Sequence, residues 1–129
     1  MVKVLLDSSA LIYCVSGKAN FIFELENLLD KADFCVTEST IKELILLSKT
    51  RRGSLASNAK KALEIAKKAR ILKSVSENVD KDLLAVAKRT KAIVATSDKS
   101  LRKKLIKNGV AVAFPAKGKR IRIDSFTEL

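Results

Sequence analysis

Histidine and tryptophan are both absent from this chain of 129 residues. The lack of histidine excludes Ser-His and Cys-His catalytic triads, acid–base chemistry on an imidazole, and most zinc sites. Catalysis by such a chain has to use carboxylates, hydroxyls, lysine or a metal ion. Aromatic residues make up only 5% of the chain, which leaves little material for stacking on planar ligands.

Cysteine and long apolar runs are also scarce. The two cysteines, Cys14 and Cys35, lack the spacing of a CxxC motif or a metal site, and we expect both to be reduced thiols. No apolar run approaches the roughly 20 residues that a membrane span requires. Asp7 interrupts the apolar N-terminus, and no signal-peptide cleavage pattern follows it. We therefore expect a cytoplasmic protein that does not bind membranes, built as one domain over residues 1–129.

Basic side chains are abundant by contrast. The chain carries 26 Lys and Arg against 14 Asp and Glu, a formal net charge of +12. Such a charge points to a polyanionic partner, and nucleic acid is the first candidate. A lysine-rich solvated surface, as found in thermophile proteins, explains the same composition without any partner.

Apolar runs and helical periodicities alternate along the chain. This alternation predicts an α/β fold with a mostly parallel sheet covered by helices on both faces, a three-layer α/β/α domain. A basic segment with glycine and serine, residues 49–57, is predicted to be a loop. The predicted strands are residues 2–6, 33–36, 71–75, 91–96, 110–114 and 121–123. The predicted helices are residues 10–15, 21–30, 59–69, 80–90 and 100–108, with a further helix after a cap at Thr37 or Ser39.

Four carboxylates occupy places where an α/β fold builds its sites. Asp7 and Asp98 directly follow apolar strands, Asp80 starts a helix, and Glu43 lies near the edge of an apolar helical stripe. The carboxyl ends of parallel strands share one edge of the sheet, so we expect the three aspartates on that edge. Oxygen ligands without histidine or cysteine suit Mg²⁺ or Mn²⁺. Such ions activate water and stabilise charge on a scissile phosphate, which is the chemistry of phosphodiester hydrolysis.

Each acid also has an ordinary structural explanation. Asp80 has the type and place of a helix N-cap, Asp98 could cap a helix or lie in a turn, and Glu43 could pair with a lysine on its helix. Asp7 is harder to explain in this way, because an acid at the end of a buried strand is costly unless it is paired, capped or metal-bound. No P-loop, GxGxxG or GxSxG motif offers a competing chemistry.

Three segments resemble the PIN-domain family of ribonucleases, in the same order and over nearly the whole chain. VLLDSSALI resembles the opening strand and first acid, CVTESTIKEL the helix with the family glutamate, and NVDKDLLAVAKRTKAIVATSD the segment with the last two acids. The resemblance implies a PIN-like α/β/α fold and a Mg²⁺- or Mn²⁺-dependent ribonuclease. Its metal ligands and catalytic acids would be Asp7, Glu43, Asp80 and Asp98.

The resemblance also implies auxiliary positions. Ser9 stands where the family often has asparagine, and Thr96 and Ser97 stand where it usually has a hydroxyl or an amide. Asp82, in the same helical turn as Asp80, is either an auxiliary ligand or a partner of the helix macrodipole. We favour Asp80 over Asp82 as the ligand.

Two subgroups of the family are similar to this chain: the toxin nucleases of type II toxin–antitoxin operons, and the rRNA-processing PIN proteins of archaea and eukaryotes. The resemblance implies RNA as the substrate, and an antitoxin protein and a second copy of the chain are further candidate partners. A non-catalytic RNA-binding or ribosome-assembly factor that retains the fold is an alternative. A DNA nuclease of the flap or exonuclease type is another.

Two groups of basic residues are candidate RNA contacts, and either group could instead be a solvated face. Tyr13, the single tyrosine, is expected to be a core residue rather than a platform for base stacking. The basic groups are Lys49, Arg51 and Arg52 after the glutamate helix, and Lys99, Arg102, Lys103 and Lys104 after Asp98.

Overall fold

The computed structural model describes residues 1–18, 20–117 and 120–125. Within these residues the strands are β1 (Val2–Leu6), β2 (Ala32–Thr37), β3 (Arg70–Leu72), β4 (Ile93–Ala95), β5 (Val112–Pro115) and β6 (Ile121–Asp124). The helices are α1 (Ser8–Val15), α2 (Phe21–Leu28), α3 (Glu38–Thr50), α4 (Gly53–Lys68), α5 (Val79–Thr90) and α6 (Lys99–Lys107). None of these helices combines the length and the hydropathy needed to cross a membrane.

The strands form one sheet in the order β3-β2-β1-β4-β5-β6. β1 pairs in parallel with β2 and β4, and the pairs β2–β3 and β4–β5 are also parallel. β6 runs antiparallel to β5, because the segment between them is too short for the helical crossover that a parallel pair needs. The carboxyl ends of β1 to β5 therefore share one edge of the sheet.

Alternate residues of the central strand face opposite layers. Val4 and Leu6 pack with residues of α1 to α4, and Leu5 packs with residues of α5 and α6. All three are buried, which is why β1 reads as a continuous apolar run and not as an alternating one. The predicted three-layer α/β/α fold with a mostly parallel sheet is confirmed.

The predicted loop over residues 49–57 is wrong. α3 continues to Thr50 and α4 already begins at Gly53. Gly53 has a φ of +65°, a conformation that glycine adopts at little steric cost, and it allows the tight turn between the helices. α3 and α4 pack side by side. This packing stabilises helical structure in a polar segment whose sequence has no regular spacing of apolar residues to predict it.

Two predictions for the segment before β4 also need correction. The predicted strand over residues 71–75 stops at Leu72, because residues 74–76 turn around a buried carboxylate. Asp80 was expected to cap α5, but the cap is Asn78, whose side chain accepts a hydrogen bond from the backbone N–H of Lys81 at 3.0 Å. Asp80 instead lies in the first turn of the helix.

Candidate active site

Asp7 follows the last residue of β1, at the centre of the sheet. The chain continues from β1 to its neighbour β2, and later passes from β3 to β4 on the other side of β1. The carboxyl end of β1 is therefore a topological switch point, where open α/β sheets leave a crevice for ligands. The backbone N–H of Asp7 donates to the carbonyl oxygen of Ala95 at 2.9 Å, and the residue is only 5% exposed.

Two hydroxyl groups hold the Asp7 carboxylate. Ser9 Oγ donates to Oδ2 at 2.7 Å, and Thr96 Oγ1 donates to the same oxygen at 2.8 Å. The two hydroxyl oxygens lie 3.0 Å apart, and the backbone N–H of Ser97 donates to Ser9 Oγ at 3.1 Å. The structure thus brings Ser9, Thr96 and Ser97 into one hydrogen-bonded cluster with Asp7.

Burial raises the pKa of Asp7 above its ordinary value of 3.8, because the surroundings solvate the charged form poorly. The hydrogen bonds from Ser9 and Thr96 act in the opposite direction, and repulsion from the Glu43 carboxylate adds to the rise. None of the ion pairs in the described part of the chain involves Asp7. A bound cation would supply the positive charge that this buried carboxylate lacks.

Glu43 reaches the same edge of the sheet from the second turn of α3. It is half-buried, and its Oε1 accepts a hydrogen bond from the hydroxyl of Ser8, the buried residue that follows Asp7. The glutamate is thereby tied to the junction of β1 and α1. The sequence alone did not assign this role to Ser8. Three consecutive polar residues directly after a buried strand could have indicated that all three belong to the site.

Asp98 lies beyond the end of β4, the strand next to β1. Its Oδ1 accepts hydrogen bonds from the backbone N–H groups of Ser100 and Leu101, at 2.9 and 3.2 Å, and so caps α6. Its own N–H donates at 3.1 Å to the Thr96 hydroxyl that contacts Asp7. The helix-cap interpretation of Asp98 is confirmed. The residue is exposed, and its second carboxylate oxygen lies outside the cap.

Asp80 and Asp82 differ in their surroundings although they share one turn of α5. Asp80 is exposed, and the described residues give its side chain no hydrogen bond or ion pair. Asp82 is fully buried. Asp80 therefore makes no hydrogen bond to the cluster around Asp7 in the described residues, and Asp82 belongs to a second cluster.

The carboxylate of Asp82 accepts four hydrogen bonds. Oδ2 accepts from the hydroxyls of Ser39 and Ser74 at 2.6 and 2.7 Å. Oδ1 accepts from the backbone N–H groups of Val75 and Ser76 at 2.7 and 3.2 Å. Burial by itself would raise the pKa of Asp82, but these bonds to the charged form outweigh it and hold the pKa below its ordinary value of 3.8. The carboxylate links α3, α5 and the segment between β3 and α5.

The oxygen donors at this edge suit a magnesium or manganese ion. Asp7, Glu43 and Asp98 offer carboxylates, and no histidine or cysteine competes with them. In the described residues, no three Asp, Glu, Cys or His side chains lie close enough together to hold an ion by themselves. Mg²⁺ usually keeps several waters and takes one or two protein carboxylates together with substrate phosphates, so this open arrangement fits it better than a closed cage would.

The basic residues named as RNA contacts lie at two places, the end of α3 with the turn that follows it and the helix α6 that Asp98 caps. Arg102 is half-buried, and its guanidinium carbon lies 4.0 Å from the centroid of the Phe114 ring. The other six basic residues are exposed: Lys49, Arg51, Arg52, Lys99, Lys103 and Lys104.

Two ribonucleases of archaea are similar to this chain over most of its length. The chain is 33% identical over 116 residues to ribonuclease VapC4 of Methanocaldococcus jannaschii, which covers 87% of this chain and 88% of that protein. It is 27% identical over 118 residues to ribonuclease VapC9 of Archaeoglobus fulgidus, which covers 92% of this chain and 86% of that protein.

The fold and the sequence also match known PIN domains. The solved structure of the PIN domain endonuclease Utp24 superposes with a TM-score of 0.77 and 21% sequence identity, over 98% of this chain and 96% of that one. At this identity the likeness concerns the fold alone. Residues 4–115 match the model of a family described as a PIN like domain. The chain therefore belongs to the PIN-like domain family, the family of ribonucleases that its sequence resembles.

Proposed function

We propose that this protein is an endoribonuclease that hydrolyses RNA phosphodiester bonds with Mg²⁺ or Mn²⁺. The observation that carries the proposal is Asp7, a buried carboxylate at the switch point of a parallel sheet, with two hydroxyls on it and no basic partner among the described residues. The two relatives named ribonucleases support RNA as the substrate.

Each candidate acid has a defined part in this proposal. Asp7 and Glu43 would hold the cation from β1 and α3, and Asp98 and Asp80 would complete the acidic site from α6 and α5. A divalent cation, when bound, neutralises charge that builds on the scissile phosphate and makes a nearby water a better nucleophile. Ser8 orients Glu43 through its hydroxyl. Because burial raises the pKa of Asp7, cation affinity should fall as the pH falls.

Asp82 has a different part from the one that the resemblance implied. Its two oxygens already accept four hydrogen bonds from protein groups. We therefore assign Asp82 to the scaffold that positions α3 and α5, and we keep Asp80 as the acid contributed by α5. The exposed basic residues of α6, of the end of α3 and of the turn that follows it would contact the phosphate backbone without reading base sequence.

A non-catalytic RNA-binding or ribosome-assembly factor is the second candidate. It is favoured by the exposed position of Asp80 and by the lack of a close group of three acids in the described residues. Both the toxin role and the rRNA-processing role are compatible with an endoribonuclease of this family. An antitoxin partner and a homodimer are proposed together with the toxin role.

The test is cleavage of a labelled single-stranded RNA by the purified protein with Mn²⁺, with Mg²⁺, and with EDTA. We expect cleavage with either metal ion, none with EDTA, and none by Asp7→Asn purified in the same way. Cleavage that survives EDTA would exclude the metal-dependent reaction. Binding without cleavage under every condition, by a folded wild-type protein, would favour the assembly factor.

A further inference from the structure

A pocket of about 240 Å³ opens beside Asp98, between α1, the start of α6 and the end of β5. Tyr13 contributes from α1, Thr96 and Asp98 from the segment after β4, Arg102 from α6 and Phe114 from β5. Asp98 is the one acid in its lining, and Lys99 and Arg102 bring two positive charges. A pocket with this charge, next to a proposed catalytic acid, is suited to a group that carries a phosphate.

Arg102 is held in place before any ligand arrives. Its guanidinium carbon lies 4.0 Å from the centroid of the buried Phe114 ring, a cation–π contact that fixes the plane of the group. No ion pair in the described residues uses its N–H donors. A planar guanidinium with free donors binds phosphate oxygens through two parallel hydrogen bonds.

Tyr13 packs against the core, as predicted, and it also forms part of the pocket wall. The ring is half-buried and meets Phe21 edge to face, with centroids 5.8 Å apart and an interplanar angle of 81°. The ammonium group of Lys18 lies 5.7 Å from the Tyr13 centroid. Phe21 restricts the tilt of the ring, and a restrained aromatic ring in a basic pocket offers a face on which a nucleobase can stack.

A larger cleft of about 590 Å³ is lined in part by Glu43, and in the metal-free protein its charge makes it a poor place for RNA. Glu38, Glu43 and Glu77 line it, with Lys42 as the one basic residue in its lining. Three carboxylates against one ammonium group repel a phosphate backbone. Charge, and not size, therefore favours the pocket beside Asp98.

We propose that this smaller pocket, beside Asp98, binds one nucleotide of the RNA. Arg102 and Lys99 bind its phosphate, and the base stacks on Tyr13. The proposal rests on the proposed function only in taking RNA as the ligand. It adds Tyr13 to the substrate contacts and gives Phe114 the part of holding Arg102 in place, and it separates Arg102 from the exposed lysines of α6.

Binding without cleavage tests the pocket directly. A fluorescein-labelled tetranucleotide with 2′-O-methyl riboses is titrated with protein in EDTA, and anisotropy gives the Kd. Arg102→Ala should weaken binding by about tenfold or more, through loss of a charge-assisted contact. The matched control is Arg89→Ala, which removes the same charge from an exposed position in the last turn of α5, next to the start of β4 at the opposite edge of the sheet. It should change the Kd by about twofold at most.

The tyrosine ring is tested in two ways. Tyr13→Leu should weaken binding by about tenfold, whereas Tyr13→Phe, which keeps the ring and its packing on Phe21, should bind within about twofold of wild type. Because Tyr13 is the single tyrosine and the chain has no tryptophan, its emission reports on the pocket in the unmodified protein. An unlabelled tetranucleotide should quench that emission, after correction for its absorbance.

The outcomes separate this proposal from the nuclease assignment. If the variants change tetranucleotide binding as expected but the wild type cleaves no RNA, the pocket proposal is supported and the nuclease proposal is contradicted. If the wild type cleaves RNA while Arg102→Ala matches Arg89→Ala in both binding and cleavage, the pocket proposal is contradicted and the nuclease proposal is supported. Binding that leaves the Tyr13 emission unchanged also overturns the pocket, since it would show that RNA binds elsewhere.

Discussion

The hydroxyl of Ser39 donates a hydrogen bond of 2.6 Å to the buried carboxylate of Asp82. Ser39 lies one helical turn before Glu43 on α3, and Asp82 lies in the same turn of α5 as Asp80. The two helices that carry these candidate site acids are therefore held together by an aspartate that has no free oxygen for a ligand. This contact predicts opposite consequences for replacing the two neighbouring aspartates.

Asp82→Ala should destabilise the protein by about 3 kcal/mol or more, because it leaves two hydroxyls and two backbone N–H groups without their acceptor. Asp80→Ala, at an exposed position in the same turn, should change the free energy of unfolding by less than about 0.5 kcal/mol. Urea denaturation of both variants measures the difference. Equal stabilities would show that the Asp82 cluster does not hold the helices together.

Asp80→Ala, although it should hardly change stability, should have a large effect on catalysis. Asp80→Ala should abolish RNA cleavage by a protein that melts like the wild type, if α5 contributes a metal ligand through this residue. Cleavage at the wild-type rate would remove Asp80 from the site and would leave Asp7, Glu43 and Asp98 as its acids.

Asp7→Asn should make the metal-free protein more stable at neutral pH. The folded state raises the pKa of Asp7 above the unfolded value of 3.8, so between these two values the folded state binds more protons than the unfolded state. Stability is therefore lost as the pH rises through this interval, and asparagine avoids the loss. The gain should be present at pH 7 and absent at pH 3 in thermal melts with EDTA. Asp30→Asn, at an exposed position, is the control and should melt like the wild type at both pH values.

Asp82 should contribute to acid denaturation with the opposite sign. Its pKa is lowered in the folded state, so its contribution to stability is present above 3.8 and is lost as the pH falls through the folded pKa. Wild type should lose stability in this range faster than Asp82→Asn. Parallel pH profiles of the two proteins would contradict the prediction.

Mn²⁺ should stabilise the wild-type protein and not Asp7→Asn. A ligand present at 100 times its Kd raises the free energy of unfolding by about 2.7 kcal/mol, and the stabilisation appears as a higher melting temperature. EDTA should reverse the effect. A rise of the same size in both proteins would place the cation at another site.

RNA binding should depend steeply on salt. Each phosphate neutralised on a single strand contributes about −0.7 to the slope of log K against log salt, so replacing Lys103 and Lys104 by alanine should flatten the slope by about 1.4. Replacing Lys60 and Lys61, an adjacent exposed pair on α4, is the matched control. If the two double variants give the same slope, the lysines of α6 form only a solvated face.

Much of the fold and the position of two acids could be predicted from sequence alone. Apolar runs of five or six residues bounded by polar ones give the buried strands, and parallel strands joined by helices must end at one edge. Asp7 follows such a run directly and Asp98 follows another after Thr96 and Ser97, so their neighbouring strands bring them to that edge. The three-layer fold follows from the same local patterns, which do not depend on distant contacts, whereas the family assignment came from the resemblance of three segments to PIN domains.

Only the tertiary structure decided which residues far apart in the chain are in contact. Ser39 and Asp82 are 43 residues apart, and Ser8 and Glu43 are 35 apart. Nothing in the local sequence distinguishes Asp82 from Asp80, because both lie in the first turn of an amphipathic helix. The packing of α5 against the sheet buries one and exposes the other. In the same way, the position of Arg102 on Phe114 depends on α6 packing beside β5, and helical periodicity cannot reveal it.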